Sequence, residues 1–406
     1  MYIQATNVSQ WHPAFTSPYS GPNSLNPSAN SNETSDITLF AGMRLTQDSE
    51  IWINPEIDQG YGLSNTLGAA GFPSGEAYKI GANAPYQRLP RFFYRKTISL
   101  EGETQQAESS ANQMAGSFSS NNIILTLGKF SVVDVFDTNA YAHDPRADFM
   151  NWAIVESGAF DYAADAWGYT YGGSMEWTQS SWTLRGGVFD MSKTPNGTKL
   201  DPTFSQHEFI GEVEKRYRLA GHNGKIKLLG FVNHGKMGSY ADAVQLAQQT
   251  GSIPDTSMVR KGSSNSGAAL NLEQELASDL GAFARISYND GSQEAFEFTE
   301  INRSVSAGLS LKGNRWNRPG DTFGLAGVIN GLSGAARQYF TLGGMGILIG
   351  DGRLNYAREE IMETYYSMQA SNHVFISLDY QYIANPAYNH DRGPASIYGA
   401  RLHFEY

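Results

Sequence analysis

The sequence predicts an all-β chain: a transmembrane antiparallel β-barrel of about sixteen strands, with loops folded inward to constrict it. Three observations predict it. Apolar and polar residues alternate with a period of two through most of the chain. The connections between alternating segments are largely short and long in turn. Glycine (43 residues) and aromatic residues (12%) are abundant, and no apolar run is long enough for a membrane-spanning helix.

The strands can be justified in order. The first residues, YIQATNVSQWHPAF, make an opening strand. In ITLFAGMRLT (37–46), Ile37, Leu39, Ala41, Met43 and Leu45 alternate with Thr38, Phe40, Gly42, Arg44 and Thr46. In IWINPEID (51–58), Ile51, Ile53, Pro55 and Ile57 alternate with Trp52, Asn54, Glu56 and Asp58. Similar segments follow at about 89–100, 121–130, 167–178, 180–190, 205–218, 224–235, 267–278, 280–289, 300–312, 320–330 and 350–368. VFISLDYQYI (374–383) alternates again, and YGARLHFEY (398–406) ends the chain on an aromatic ring. That last strand needs a partner, and pairing with the first strand would close the sheet. The best helical segment is YADAVQLAQQTG (240–251).

Tight connections fall at 47–49, 179–181, 220–225, 278–279 and 370–372. Long ones fall at 16–36, 59–88, 131–166, 191–204, 236–266, 331–349 and 385–394. Turns at one end and loops at the other mark an antiparallel closed sheet. One connection, GETQQAESSANQMAGSFSSN (102–121), is long where a turn is expected, and the pattern accounts for it only by longer flanking strands. The whole chain, 1–406, reads as one barrel domain, with loops 59–88 and 131–166 as its constriction.

The alternation also has a sign. Polar faces carry Glu208, Glu212, Glu214, Arg216 and Arg218 in one strand, and Arg91 and Arg95 in another, which suits a wet interior. Opposite faces carry Leu, Ile, Val, Ala and Tyr, as a lipid-facing band does. Trp167, Trp177, Trp182, Tyr217, Tyr288 and Tyr406 sit near strand ends, where interfacial aromatic girdles form.

Composition excludes several classes. The formal charge of −11 argues against nucleic acid as a partner. The absence of cysteine excludes disulfides, thiolate catalysis and zinc–sulfur sites. Met1-Tyr2-Ile3-Gln4 lacks the basic and apolar regions of a signal peptide, so the chain reads as a mature form. No GxSxG or HExxH occurs, no catalytic residue is assigned, and no cofactor is implied. HDPRAD (143–148) groups His143, Asp144 and Asp148, but lacks the spacing and glycine of a calcium loop.

Period two places Arg91, Phe93, Arg95, Thr97 and Ser99 on the lumen side, with Pro90, Phe92, Tyr94, Ile98 and Leu100 opposite. The loop from 128 to 172 holds Asp134, Asp137, Asp144, Asp148, Glu156, Asp161 and Asp165, with Tyr141, His143, Arg146, Trp152 and Tyr162. A surface loop is ordinarily rich in Gly, Ser and Asn, so this aromatic and charged one is expected to fold into the barrel. The expected constriction comprises Arg44, Trp52, Glu56, Arg91, Arg95, Asp134, Arg146 and Asp148. Arginine can bridge neighbouring hydroxyls or clamp a carboxylate. Unpaired arginines would favour anions, and arginines that each face a carboxylate would favour neutral sugars.

GKFSVVDVFDTNAYAHDPRADFMNW (128–152) resembles the segment that marks the OprB-type carbohydrate-selective porins of Gram-negative outer membranes. QGYGLSNTLGAAGFPSGEAYKIG (59–81), RLPRFFYRKTISL (88–100) and DYQYIANPAYNHDRGP (379–394) are similar to other segments of that family, in the family's order. The resemblance implies a passive outer-membrane channel for sugars or similar polyols, with small hydroxylated acids such as quinate as the alternative solute. It also implies outer-membrane lipid as surroundings and the outer-membrane assembly machinery, which reads an aromatic last residue, as a partner. An outer-membrane barrel enzyme and a soluble carbohydrate-binding β protein are the rival classes.

Overall fold

The computed structural model describes residues 1–77, 81–298 and 300–406. The strands, in order, are β1 (Tyr2–His12), β2 (Asn30–Thr46), β3 (Ser49–Gly60), β4 (Ala82–Ser99), β5 (Thr104–Ala107), β6 (Gly116–Ser119), β7 (Asn122–Phe130), β8 (Thr170–Gln179) and β9 (Trp182–Asp190). They continue with β10 (His207–Leu219), β11 (His222–Met237), β12 (Lys261–Ala277), β13 (Leu280–Asn289), β14 (Arg303–Gly313), β15 (Arg318–Gly331), β16 (Glu359–Ser371), β17 (Val374–Ala384) and β18 (Ala395–Glu405). All but β5 and β6 join one closed antiparallel sheet of sixteen strands. Helices are confined to loops: α1 (Trp152–Val155), α2 (Tyr240–Thr250) and α3 (Gly334–Thr341). No helix among the described residues is long and apolar enough to cross a membrane.

The terminal strand finds its partner at the other end of the chain. β18 pairs with β1 from Gln4↔Glu405 to Trp11↔Tyr398. Ile3 and Tyr406 exchange backbone hydrogen bonds of 2.9 Å in both directions. Closure removes the edge that an open sheet would expose.

Period two then sorts the side chains. Ile37, Met43, Ile53, Ile57, Phe92, Leu378 and Leu402 are exposed on the outer wall, while Phe40, Trp52, Phe93, Glu208, Glu212 and Glu214 are buried inside. Trp177, Trp182, Tyr288 and Tyr406 are also exposed. Gly281 shows how closely the interior is packed. The ring of Tyr141, from the loop after β7, lies where a Cβ at Gly281 would come within 2.0 Å.

Several boundaries differ from the sequence reading. The strand expected at 350–368 is β16, beginning at Glu359, because Gly350 and Gly352 adopt φ of +155° and +83°, which a regular strand does not use. Residues 290–302 connect β13 to β14 as a further long loop that the alternation passes over, and residue 299 in it lies outside those described. β4 extends back to Ala82, so the loop expected at 59–88 spans 61–81, and its residues 78–80 lie outside those described. The long segment 102–121 is not an extension of its flanking strands but a separate hairpin, β5–β6, paired from Thr104↔Ser119 to Ala107↔Gly116. Residues 240–251, in contrast, do form a helix: Ser239 caps α2 by accepting the Asp242 N–H at 3.2 Å, and Gly251 ends it at φ +70°.

A closed sheet gives detergent no edge from which to unravel it. An unboiled sample in dodecyl sulfate is therefore expected to migrate faster on a gel than a boiled one. Identical migration would contradict the closed barrel.

Candidate functional site

Two loops fold into the barrel and meet there. The larger, residues 131–169, is laced to the inner wall by side chains of the strands. The buried Arg285 on β13 donates to the carbonyls of Ile154 (2.8 Å) and Ala142 (2.7 Å). Arg401 on β18 donates to those of Pro145 (2.6 Å), Asp148 (2.8 Å) and Ala147 (3.0 Å). Glu363 on β16 accepts the N–H of Met150 (2.5 Å) and Asn151 (3.0 Å), and Glu212 on β10 that of Asp137 (2.9 Å). The smaller loop, 61–81, is held similarly. Glu359 on β16 accepts from Ala70 (2.9 Å) and Gly71 (2.7 Å), while Gln10 and Gln381 donate to the Pro73 carbonyl at 2.9 and 2.8 Å. The two loops are tied to each other by Trp152 N–H to Phe72 O at 3.1 Å and Gly75 N–H to Met150 O at 2.8 Å.

Between these loops and β4 lies a cavity of about 180 Å³. At roughly 30 Å³ per water this is room for about six waters, the scale of one small solute. One side is a row of rings. Trp152 stacks on Phe72 at 5.1 Å and on Phe298 at 5.0 Å, and Phe298 meets Tyr162 at 4.4 Å. The other side is charged, and every arginine there is paired. Arg91 makes a two-pronged bridge to Asp134 at 2.7 and 2.6 Å. Asp134 is itself fixed by accepting the Ser131 N–H at 3.0 Å. Arg88 pairs with Glu56 at 2.5 Å and with Asp58. Arg146 lies 3.1 Å from Glu76 and 3.5 Å from both Asp36 and Glu56. Tyr169 lies against the guanidinium of Arg91 at 5.0 Å, and Trp167 against that of Arg88 at 5.4 Å.

The loop groups around the cavity are held either ionised against a partner or neutral. Burial would raise Asp134, but the charge and hydrogen bonds of Arg91 outweigh it and hold the carboxyl below its usual range. Burial likewise opposes the ionisation of Asp144, and Arg146 reverses it. Glu156 is pushed well above its usual value by burial and then by Asp137, and the imidazole of His143 is lowered by burial and by Arg285. Glu76 is also raised well above the ordinary value by burial, against the pull of Arg146 and with Asp36 and Asp144 nearby. One guanidinium surrounded by three carboxylates cannot keep them all ionised.

The structure distributes the expected constriction residues unevenly. Arg91, Asp134 and Arg146 line the cavity, and Glu56 stands behind it, bonded to Arg88 and Thr38. Asp148 faces away and accepts the N–H groups of His143 (3.1 Å) and Asp144 (3.2 Å), so the HDPRAD segment uses this carboxylate to shape its own turn. Trp52 lies flat over Gly42, where a Cβ would come 2.7 Å from the indole, and belongs to the wall. Arg44 and Arg95 lie nearer the short-turn end of the barrel and do not line the cavity. Trp167, expected in an outer girdle, is inside the pore, because β8 begins only at Thr170.

Residues both behind the lining and in it escape sequence reasoning. Arg88 is out of phase with Arg91 because the sheet slips by one residue: Asn54 pairs with Arg91, but Glu56 pairs with Arg88. Pro55 and Pro90 sit at that slip and were its available signal. Phe298 comes from the unread loop 290–302.

With a paired-charge wall facing a row of rings inside a sixteen-stranded barrel, comparison with known proteins becomes informative. The profile of the carbohydrate-selective porin, OprB family, matches residues 23–406. This chain belongs to that family. Its members are channels of the outer membrane, and an outer-membrane channel is what this barrel is. A search of curated protein sequences found no match. Among solved structures, OprB of Pseudomonas putida at high pH is similar, with a TM-score of 0.74 and 16% identity over 100% of this chain and 94% of that one. The outer membrane channel DcaP of Acinetobacter baumannii is similar with a TM-score of 0.53 and 9% identity, over 100% and 96% respectively. At these identities the likeness shows the shared fold.

The clamp at Asp148 generates a pH prediction for this porin. Burial, and then the neighbouring Asp144, push Asp148 up to about 6. An unfolded aspartate titrates at about 3.9, so the folded state binds more protons between these values. The stability of the loop therefore falls as pH rises from about 4 to about 6. Asp148→Asn keeps an acceptor without the charge, and should flatten the pH dependence of the thermal midpoint in detergent over that window. An unchanged slope would place the titration elsewhere.

Proposed function

We propose that this porin is a passive diffusion channel of the Gram-negative outer membrane for small neutral polyhydroxylated solutes, monosaccharides or similar polyols. The observation that carries this reading is the pairing of Arg88, Arg91 and Arg146 with carboxylates. A paired wall offers donors and acceptors to hydroxyl groups on all sides, yet among the described residues its arginines present no free cation to capture an acid. The neutral His143 and the proton-bearing Glu156 add hydrogen-bonding capacity without charge.

The ring row complements this wall. A pyranose has an apolar C–H side and a rim of hydroxyls. Phe72, Trp152 and Phe298 give the apolar side a surface, while Arg91, Asp134 and Arg146 meet the rim. Binding must remain weak enough for release, since tight capture would stop flux. The solute moves down its own gradient, and the lining residues only replace part of its hydration shell as it crosses.

The alternative solute, a small hydroxylated acid such as quinate, is distinguished by one substitution. Asp134→Asn leaves Arg91 without its carboxylate. In planar bilayers the wild-type channel is expected to show current block by glucose that exceeds block by quinate. The variant should shift its reversal potential toward anions and gain roughly tenfold in quinate affinity, about 1.4 kcal/mol. Stronger block of the wild type by quinate than by glucose would overturn the neutral-solute reading.

A further inference from the structure

The β5–β6 hairpin occupies a position that the constriction does not explain. In the barrel register Arg44 lies opposite Glu50, and Glu50 opposite Arg95, forming one row across β2, β3 and β4. All three share the inward phase of the buried Phe40, Trp52 and Phe93. The row therefore points into the lumen, close to the short-turn end that is periplasmic in outer-membrane barrels.

The hairpin tip folds back onto this row. Arg95 donates to Glu50 at 3.2 Å and to the Asn112 carbonyl at 2.6 Å. Arg44 donates to the Ala115 carbonyl at 2.6 Å, and Glu50 accepts the Met114 N–H at 3.3 Å. Met114 packs, partly buried, against the interior apolar cluster. A connection that hung free in the periplasm would have no reason to spend three lumen charges on its backbone. These bonds hold residues 112–115 against the inner face of β2, β3 and β4 at that end of the pore.

We propose that this hairpin is a second narrowing, a periplasmic filter that every solute crosses after the cavity. Arg95 and Arg91 are four residues apart on one face, which separates the two narrowings by roughly 13 Å along the strand. The tip suits the same class of solute. Residues 109–117, SSANQMAGS, carry hydroxyls and amides and no charged side chain. Arg44 and Arg95 reach the hairpin backbone with Glu50 between them, so the tip adds hydrogen-bonding groups while the donors of both arginines are already engaged. Arg95 is thus a positioning residue for the filter.

The test needs no sugar, so it can fail independently of the reading of the solute. The chain has no cysteine, and Met114→Cys is therefore a single reactive site. A cationic methanethiosulfonate added to the periplasmic side of a bilayer should cut the potassium chloride current of this variant by roughly a third or more, with no effect on the wild type. Replacing residues 108–115 by Asn-Gly should raise conductance by roughly 1.5-fold or more, and Arg95→Ala should raise it in the same direction to a smaller extent. Heat-modifiable migration of each variant establishes that its barrel is closed. Unmodified current in the labelled cysteine variant, together with wild-type conductance after hairpin replacement in a closed barrel, would overturn the proposal.

Discussion

A loop folded inside a barrel must find partners for its backbone groups, and this requirement shapes most of the interior. Each buried N–H or C=O left alone costs about 1–3 kcal/mol. Residues 131–169 cannot satisfy themselves, because their helical structure among the described residues is a 3-10 turn at Val132–Asp134 and the single turn of α1. The wall supplies what is missing. Arg285 and Arg401 donate to six loop carbonyls between them, and Glu359, Glu363 and Glu212 accept loop N–H groups. The polar inner faces of the strands are therefore not merely wetted. They are the template on which the loops take their shape.

This template explains a division within the barrel. On the side of β13 to β18, wall side chains such as Arg285, Glu359, Glu363 and Arg401 are turned to loop backbone. On the side of β2 to β4, Arg88 and Arg91 pair with carboxylates, and the cavity opens beside Arg91. Arg91 and Arg285 are both inward arginines, yet one borders the cavity and the other supports the loop. Charge alone does not distinguish them. What distinguishes them is whether the nearest partner is a carboxylate or a bend of main chain.

The same distinction marks what could be read from the sequence. The faces of the strands were legible because period two is a local property. Ile37 and Met43 outside, with Trp52 and Phe93 inside, follow from position within a strand. The helix at 240–251 was legible for the same reason, since Ser239 and Gly251 are local caps. Partner choice was not legible. Nothing near Arg95 indicates that its guanidinium reaches Asn112, and nothing near Arg401 indicates that it collects three carbonyls of a loop more than 250 residues away. Arg88 was concealed by a slip in register at Leu89 and Pro90, and Trp167 by an apparent strand that had not yet begun. The resemblance of 128–152 to a porin segment located the decisive loop, but not the route of its backbone.

The ring row shows why such a site resists prediction from composition. Phe72, Trp152 and Phe298 come from three loops, separated by 80 or more residues, and no pair of them shares a strand or a repeat. Their stacking depends on Glu359 holding Gly71, on Glu363 holding Asn151, and on Asp161 accepting the N–H groups of Phe296 (2.7 Å) and Glu297 (2.9 Å). Each ring is thus placed by a carboxylate that accepts main-chain N–H groups beside it. Loss of one such carboxylate would tilt a ring without altering any residue that a solute touches. Selectivity in this pore therefore belongs to the wall as much as to the lining, and the residues free to retune it include many that never meet the solute.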